Sequence, residues 1–173
     1  LWLGYTETYG NKELRFEISK TYDTAKPEHI LCFAGAEEGI YVAMRVLLKA
    51  NDHAIIVVPN YQAAETIPLD ICEVSGVPLN PEENWSLDID RIKNEIRPNT
   101  KLISINFPNN PTGAILARER LDELIKICRN RGLYLFSDEV YRLLERDTKL
   151  RLPQIADIYE RGISLNVMSK AYG

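Results

Sequence analysis

The chain has 173 residues, 45% of them hydrophobic, enough to bury one sizeable core, which argues against disorder. Its net charge of -4 comes from 21 basic and 25 acidic side chains spread along the sequence, leaving no basic stripe to neutralise a phosphate backbone, so nucleic acid is not an expected partner. The longest apolar runs, such as Ile55 to Pro59 and Leu133 to Phe136, fall far short of the roughly 18 to 20 residues that span a bilayer, and Leu1 to Glu7 lacks the features of a signal peptide.

A cytoplasmic chain is therefore expected. It opens without Met and closes on Ala171-Tyr172-Gly173 with no turn or cap, which reads as a piece of something longer. Leu14, Ile18 and Tyr22 recur at helical spacing, predicting a helix between Asn11 and Asp23. His29 to Phe33 is predicted as a short strand, and Ala36 to Ala50 as a helix with apolar residues at 40, 43, 44, 47 and 48, with Gly35 at the join. Ala54 to Val58, a β-branched run stopped by Pro59, predicts a strand buried on both faces.

Further along, Ile71 to Leu79 predicts a strand, Leu87 to Ile96 a helix capped by Ser86, and Lys101 to Phe107 a strand that runs into the loop Asn109-Asn110-Pro111-Thr112-Gly113. A helix from Ala117 to Asn130 ends at Gly132, a strand from Leu133 to Ser137 leads to Asp138, and Ile163 to Val167 is a last strand before Lys170. This alternation predicts one α/β domain, a three-layer α/β/α arrangement around a mostly parallel sheet. Cys32, Cys72 and Cys128 are odd in number and far apart, which fits buried reduced thiols better than a disulfide framework or a zinc site; His29 and His53 have no partner at ligand spacing, so no metal is expected.

Open α/β sheets bind ligands outside the carboxyl ends of their strands. Gly35, Tyr61, the Asn109 to Gly113 loop, Asp138 and Lys170 each follow a predicted strand, so a single crevice is expected to collect them. Taken in order, Asn110-Pro111-Thr112-Gly113, Ser137-Asp138-Glu139-Val140-Tyr141 and Ser169-Lys170-Ala171-Tyr172-Gly173 resemble the fold-type-I, pyridoxal-phosphate-dependent aminotransferases of classes I and II, and the resemblance covers nearly the whole chain.

What the resemblance implies is specific. Residues 1–173 would be the cofactor-binding large domain, partial, without the N-terminal arm and the smaller C-terminal domain. Lys170 would hold pyridoxal 5'-phosphate as a Schiff base and shuttle a proton at the substrate Cα, for which its amine must lose its charge. Asp138 would pair with the pyridine nitrogen, keeping the ring an electron sink. Tyr141 and Asn110 would donate to the ring oxygen, with Asn109 as a turn residue. Gly35, Ala36 and Glu37, at a helix start, would cup the phosphate through backbone amides, the Glu37 side chain turned away. Ser169 would add a hydroxyl to the phosphate, Tyr61 would stack on the ring, and Tyr5 would reach the neighbouring subunit's phosphate site. Val167 departs from the family where many members carry a second hydroxyl, and the arginine expected shortly after the lysine motif is missing because the chain stops at Gly173.

The reaction so implied is transfer of an amino group between an amino acid and a 2-keto acid by a homodimer, with this piece alone inactive or weakly active. A lyase, synthase or decarboxylase of the same fold is the alternative that keeps the cofactor. A non-catalytic α/β ligand-binding domain is the alternative from another class, and the absence of a Gly-x-Gly-x-x-Gly run or a Walker lysine after any predicted strand argues against its nucleotide-binding form.

Overall fold

The apolar runs become strands because each is short, rich in β-branched residues and stopped by a turn former. The computed structural model describes residues 4, 5 and 7–173. In chain order these form helix α1 (Lys12–Ser19), α2 (Ala36–Leu47), strand β1 (His53–Val58), α3 (Gln62–Leu69), β2 (Glu73–Pro78), α4 (Ile89–Glu95), β3 (Thr100–Asn106), α5 (Arg118–Arg131), β4 (Tyr134–Asp138), α6 (Ile155–Ile158), β5 (Gly162–Leu165) and α7 (Met168–Ala171). The sheet order is β2-β1-β3-β4-β5, and every neighbouring pair is parallel.

Side-chain alternation sends each strand's residues to two different cores, which is why parallel strands read as continuous apolar runs. On one face Ala54, Ile56, Leu102 and Phe136 pack with Ile40 and Met44 of α2, Leu48 just past its end and Ala64 of α3. On the other, Ile55, Val57, Ile103, Ile105 and Leu135 pack with Ile89 and Ile92 of α4 and Leu121, Leu124 and Cys128 of α5. The three-layer α/β/α prediction is met.

Several local readings need correction. His29 to Phe33 is no strand: Pro27–His29 forms a 3-10 turn, and residues 30 to 33 run on without regular structure. The extended pattern there finds no place in the ladder, where β2 and β5 hold the two edges. Helix α3 is absent from the sequence reading because Pro68 lies inside it; the proline falls in the last turn, and the two alanines at 63 and 64 are buried against the sheet. The cap of α4 is Asp88, whose carboxylate accepts from the Asp90 and Arg91 amides at 2.9 and 3.2 Å, whereas Ser86 pairs backbone to backbone with Asn80. Strand β5 stops at Leu165, so Asn166 and Val167 leave the sheet. Of the three cysteines only Cys128 is buried, and burial pushes its thiol up to about 12.

Gly132 ends α5 with φ 65°, the left-handed conformation expected of it. Gly162 has a different reason: a Cβ there would sit 2.6 Å from the Ile155 carbonyl oxygen, so only glycine lets α6 press onto β5. His53 is structural, its ring nitrogens bonded to Thr100 at 2.8 Å and Ser75 at 3.0 Å, which ties three strand starts together at the edge opposite the loops considered next.

Candidate functional site

Strand order reverses between β1 and β3: β2 lies to one side of β1, and β3, β4 and β5 follow on the other. A crevice at the carboxyl ends of such strands is where ligands bind in this architecture. The loop leaving β1 carries Tyr61, and the loop leaving β3 carries Asn110. Asn109 joins the two loops, donating from Nδ2 to the Pro59 carbonyl at 3.0 Å while its Oδ1 accepts from the Thr112 amide and hydroxyl. It is the turn residue the sequence suggests, and it is buried.

Asp138 closes β4 on the same face as Phe136, opposite Asn106 of β3. Only 3% of it is exposed. Burial raises its carboxyl to about 6, against the opposing pull of the Val140 amide and Asn106. Asn106, which the sequence reading missed, donates from Nδ2 to the Asp138 carbonyl at 3.1 Å and accepts from the Asn110 amide at 2.7 Å. It therefore sets the acid and the Asn110 loop relative to each other. A polar residue in phase with Leu102 and Ser104, at the end of a buried run, was the signal available.

After Asp138 the chain turns, the Arg142 amide donating to the Glu139 carbonyl at 2.8 Å, and this turn, rather than a helix, brings Tyr141 round. Lys170, in α7, holds its Nζ over the Tyr141 ring at 5.4 Å from the centroid, a cation–π contact. Lys170 and Ser169 are exposed at the mouth. Asn166, at the exit of β5, donates to the Tyr22 hydroxyl and to Gln154, both at 2.8 Å, which fixes the path of the chain toward Lys170.

Gly35 caps α2 in extended conformation, exposed and with no atom within 4 Å of where a Cβ would stand, and just before it the Ala34 amide donates to the Glu38 carboxylate at 2.9 Å. The first turn of α2 lies against the end of β5, since a Cβ on Gly39 would come within 3.0 Å of Leu165. Glu37 leans toward α3 and accepts from the Tyr61 hydroxyl at 3.4 Å; the two line a polar recess of about 250 Å³ with Gln62, Ala63, Thr66 and Ile67. Lys170 and Tyr141 thus touch, three residues along the chain from Asp138, which Asn106 joins to Asn110, and Glu37 and Tyr61 meet beside the start of α2 that Gly35 and Ala36 form. Tyr5 is fully exposed and stands apart from both.

A model of the aminotransferases of class I and II matches residues 1–173. The chain belongs to that family. It is 32% identical to an aspartate aminotransferase of Pyrococcus horikoshii over 99% of its length and 29% identical to an arginine–pyruvate transaminase of Pseudomonas aeruginosa over 97%. A crystal structure of a PLP-dependent aminotransferase from Streptococcus suis superposes with a TM-score of 0.92 at 36% identity, covering 99% of this chain and 46% of that one. The chain spans about 45% of the length of these two curated relatives.

The family works with pyridoxal phosphate, and the residues present fit it. A buried carboxyl with no cation against it among the described residues, an amine on an aromatic face and a helix start with open space at Gly35 suit a pyridine nitrogen, an aldehyde and a phosphate respectively. One consequence concerns the cofactor-free protein. Asp138 and its neighbour Glu139, raised to about 7 by burial, both bind protons more tightly folded than unfolded, so stability falls as pH rises from about 4 to about 7. The loss is roughly 3 kcal/mol for each group, at ~1.4 kcal/mol per pH unit between its folded and unfolded values. Melting temperatures across that range should fall in the wild type, relative to an Asp138→Asn, Glu139→Gln double variant; parallel profiles would contradict the sign.

Proposed function

We propose that residues 1–173 form the cofactor-binding large domain of an aminotransferase that moves an amino group between an amino acid and a 2-keto acid, with Lys170 as the covalent attachment point of pyridoxal phosphate. The observation that carries this reading is Lys170 Nζ resting on the Tyr141 ring, three residues along the chain from the buried Asp138. The bound cofactor supplies an electron sink for the carbanion formed at the amino acid Cα.

The chain's own residues do the rest. The Asp138 carboxylate holds a proton on the pyridine nitrogen, and pairing with that cation offsets its burial. The Tyr141 hydroxyl and the Asn110 side-chain amide would donate to the ring oxygen, the Tyr61 ring would lie on the pyridine face, and the backbone amides of Gly35, Ala36 and Glu37 with the Ser169 hydroxyl would hold the phosphate. The Lys170 amine, once free, moves the proton at Cα. With Glu37 turned toward Tyr61, its charge lies on the α3 side of the cup.

The assembly is a homodimer in which Tyr5 serves the neighbouring subunit; its complete exposure supports this. The compartment is the cytoplasm, in keeping with three unpaired cysteines, and among the described residues no helix is long and apolar enough to cross a membrane. The test is the stoichiometry of a half-reaction on the full-length protein: one equivalent of keto acid should appear with one equivalent of the amine form of the cofactor. Release of ammonia or an olefin instead would reject transamination.

A further inference from the structure

Successive residues of a strand point to opposite faces, so Asp138 and Glu139, adjacent in sequence, face different layers. Glu139 is only 6% exposed, yet it lies outside the crevice and no role proposed above uses it. Its Oε1 accepts from the Ile155 amide at 2.9 Å and from the Ser164 hydroxyl at 3.0 Å. Ser164 in turn accepts from the Ala156 amide at 3.0 Å, and the Glu139 amide donates to the Leu165 carbonyl at 2.8 Å. One carboxylate oxygen therefore ties the end of β4 to β5 and to the start of α6.

The other oxygen, Oε2, is buried and has no hydrogen-bond partner among the described residues. Glu139 lines a cavity of about 30 Å³ with Ser137, Arg142 and Glu145 among apolar residues; the Arg142 guanidinium donates to the Leu152 carbonyl at 2.6 Å, and Glu145 accepts from Arg151 at 3.0 Å. A half-satisfied buried acid is destabilising by its nature, so its presence calls for a reason other than stability. The reason lies in what the two strands carry: β4 ends in Asp138, and β5 leads within five residues to Lys170.

We propose that Glu139 is a positioning residue that, through its Oε1 bonds to Ser164 and Ile155 on the rear face of the sheet, fixes the roll of β4 and its spacing from β5, and so aims the Asp138 carboxylate and sets its distance from Lys170. The inference rests on the cofactor reading above. A rotation of β4 that turned Asp138 off the pyridine nitrogen would drag Glu139 off both donors. Gln in its place keeps an oxygen acceptor for Ile155 and Ser164, whereas Ala keeps none.

The experiment uses the full-length holoenzyme. Glu139→Ala should lower kcat about 10- to 100-fold, as small misplacements do, with KM for the amino acid moved less than about threefold. The pH midpoint of the absorbance band from the lysine–cofactor linkage should move by about half a pH unit or more, and Glu139→Gln should restore both values. A Glu139→Ala protein that melts lower but keeps the wild-type kcat and midpoint would reduce the residue to a cap for α6 and overturn the proposal, as would a Gln variant as impaired as Ala. Should Glu139→Ala fail to fold, Ser164→Ala removes one of the two bonds and should shift kcat and midpoint in the same direction; wild-type values there would also overturn it. A wild type without a borohydride-fixable band would instead sink the cofactor reading. Amide exchange over residues 138–141, which should quicken in Ser164→Ala without cofactor, judges the anchor separately.

Discussion

Replacing Asp138 with Asn should lower kcat about 100- to 1000-fold, the scale on which a preorganised charge at a reacting centre contributes. The substitution keeps the shape of the side chain and an oxygen for the Val140 amide, which now donates to Asp138 Oδ1 at 3.1 Å. What it removes is the charge that, in the proposed function, would hold a proton on the ring nitrogen. The same change should stabilise the cofactor-free protein at pH 8 by about 1 to 3 kcal/mol, because it deletes a carboxylate whose ionisation burial opposes. A variant that loses activity while melting higher without cofactor separates a functional carboxyl from a structural one. Loss of both activity and stability would identify Asp138 as a fold residue.

The second large effect is at Lys170. Lys170→Ala should bind the cofactor without covalent fixation and lose at least about 10²- to 10⁴-fold in kcat, the range supplied by a positioned proton-transfer group. Folding should be little affected, since the side chain is exposed and rests on the Tyr141 face. A small amine added from solution should recover part of the proton transfer. Activity within about tenfold of wild type in Lys170→Ala would show that another group carries the proton.

How far these residues can be read from sequence alone depends on whether the governing interaction is local. Ala54 to Val58 announces a buried strand by composition, and Gly132 announces a helix end by conformation; both readings hold in the structure. His29 to Phe33 shows strand-like composition too, but its backbone turns to the chain's first residues, the Cys32 amide donating to the Tyr9 carbonyl at 2.9 Å, and not to an edge of the sheet. Helix α3 was hidden because Pro68 reads as a breaker, although a proline in the last turn of an eight-residue helix leaves most of its hydrogen bonds intact.

The candidate site divides in the same way. Asp138, Asn110 and Lys170 stand at strand exits, and motif order is enough to single them out. Asn106 and Glu139 do their work through partners 32 and 25 residues away, Asp138 and Ser164 respectively, and no local pattern names those partners. Alternation alone could have placed Glu139 on the face opposite Asp138. Its bonds to α6 and β5 could come only from the three-dimensional arrangement, because α6 is four residues long and carries no strong helical pattern.

The central claim is that the amine of Lys170 and the carboxyl of Asp138 meet at one mouth of the sheet and share one ring. The most direct measurement is borohydride reduction of the full-length protein with bound pyridoxal phosphate, followed by digestion and mass mapping, in the wild type and in Asp138→Asn. The wild type should carry one pyridoxyl phosphate on the peptide containing Lys170, and the variant should carry the same label with its absorbance band displaced. A label on any other lysine, or a band indifferent to the loss of the Asp138 charge, would contradict it.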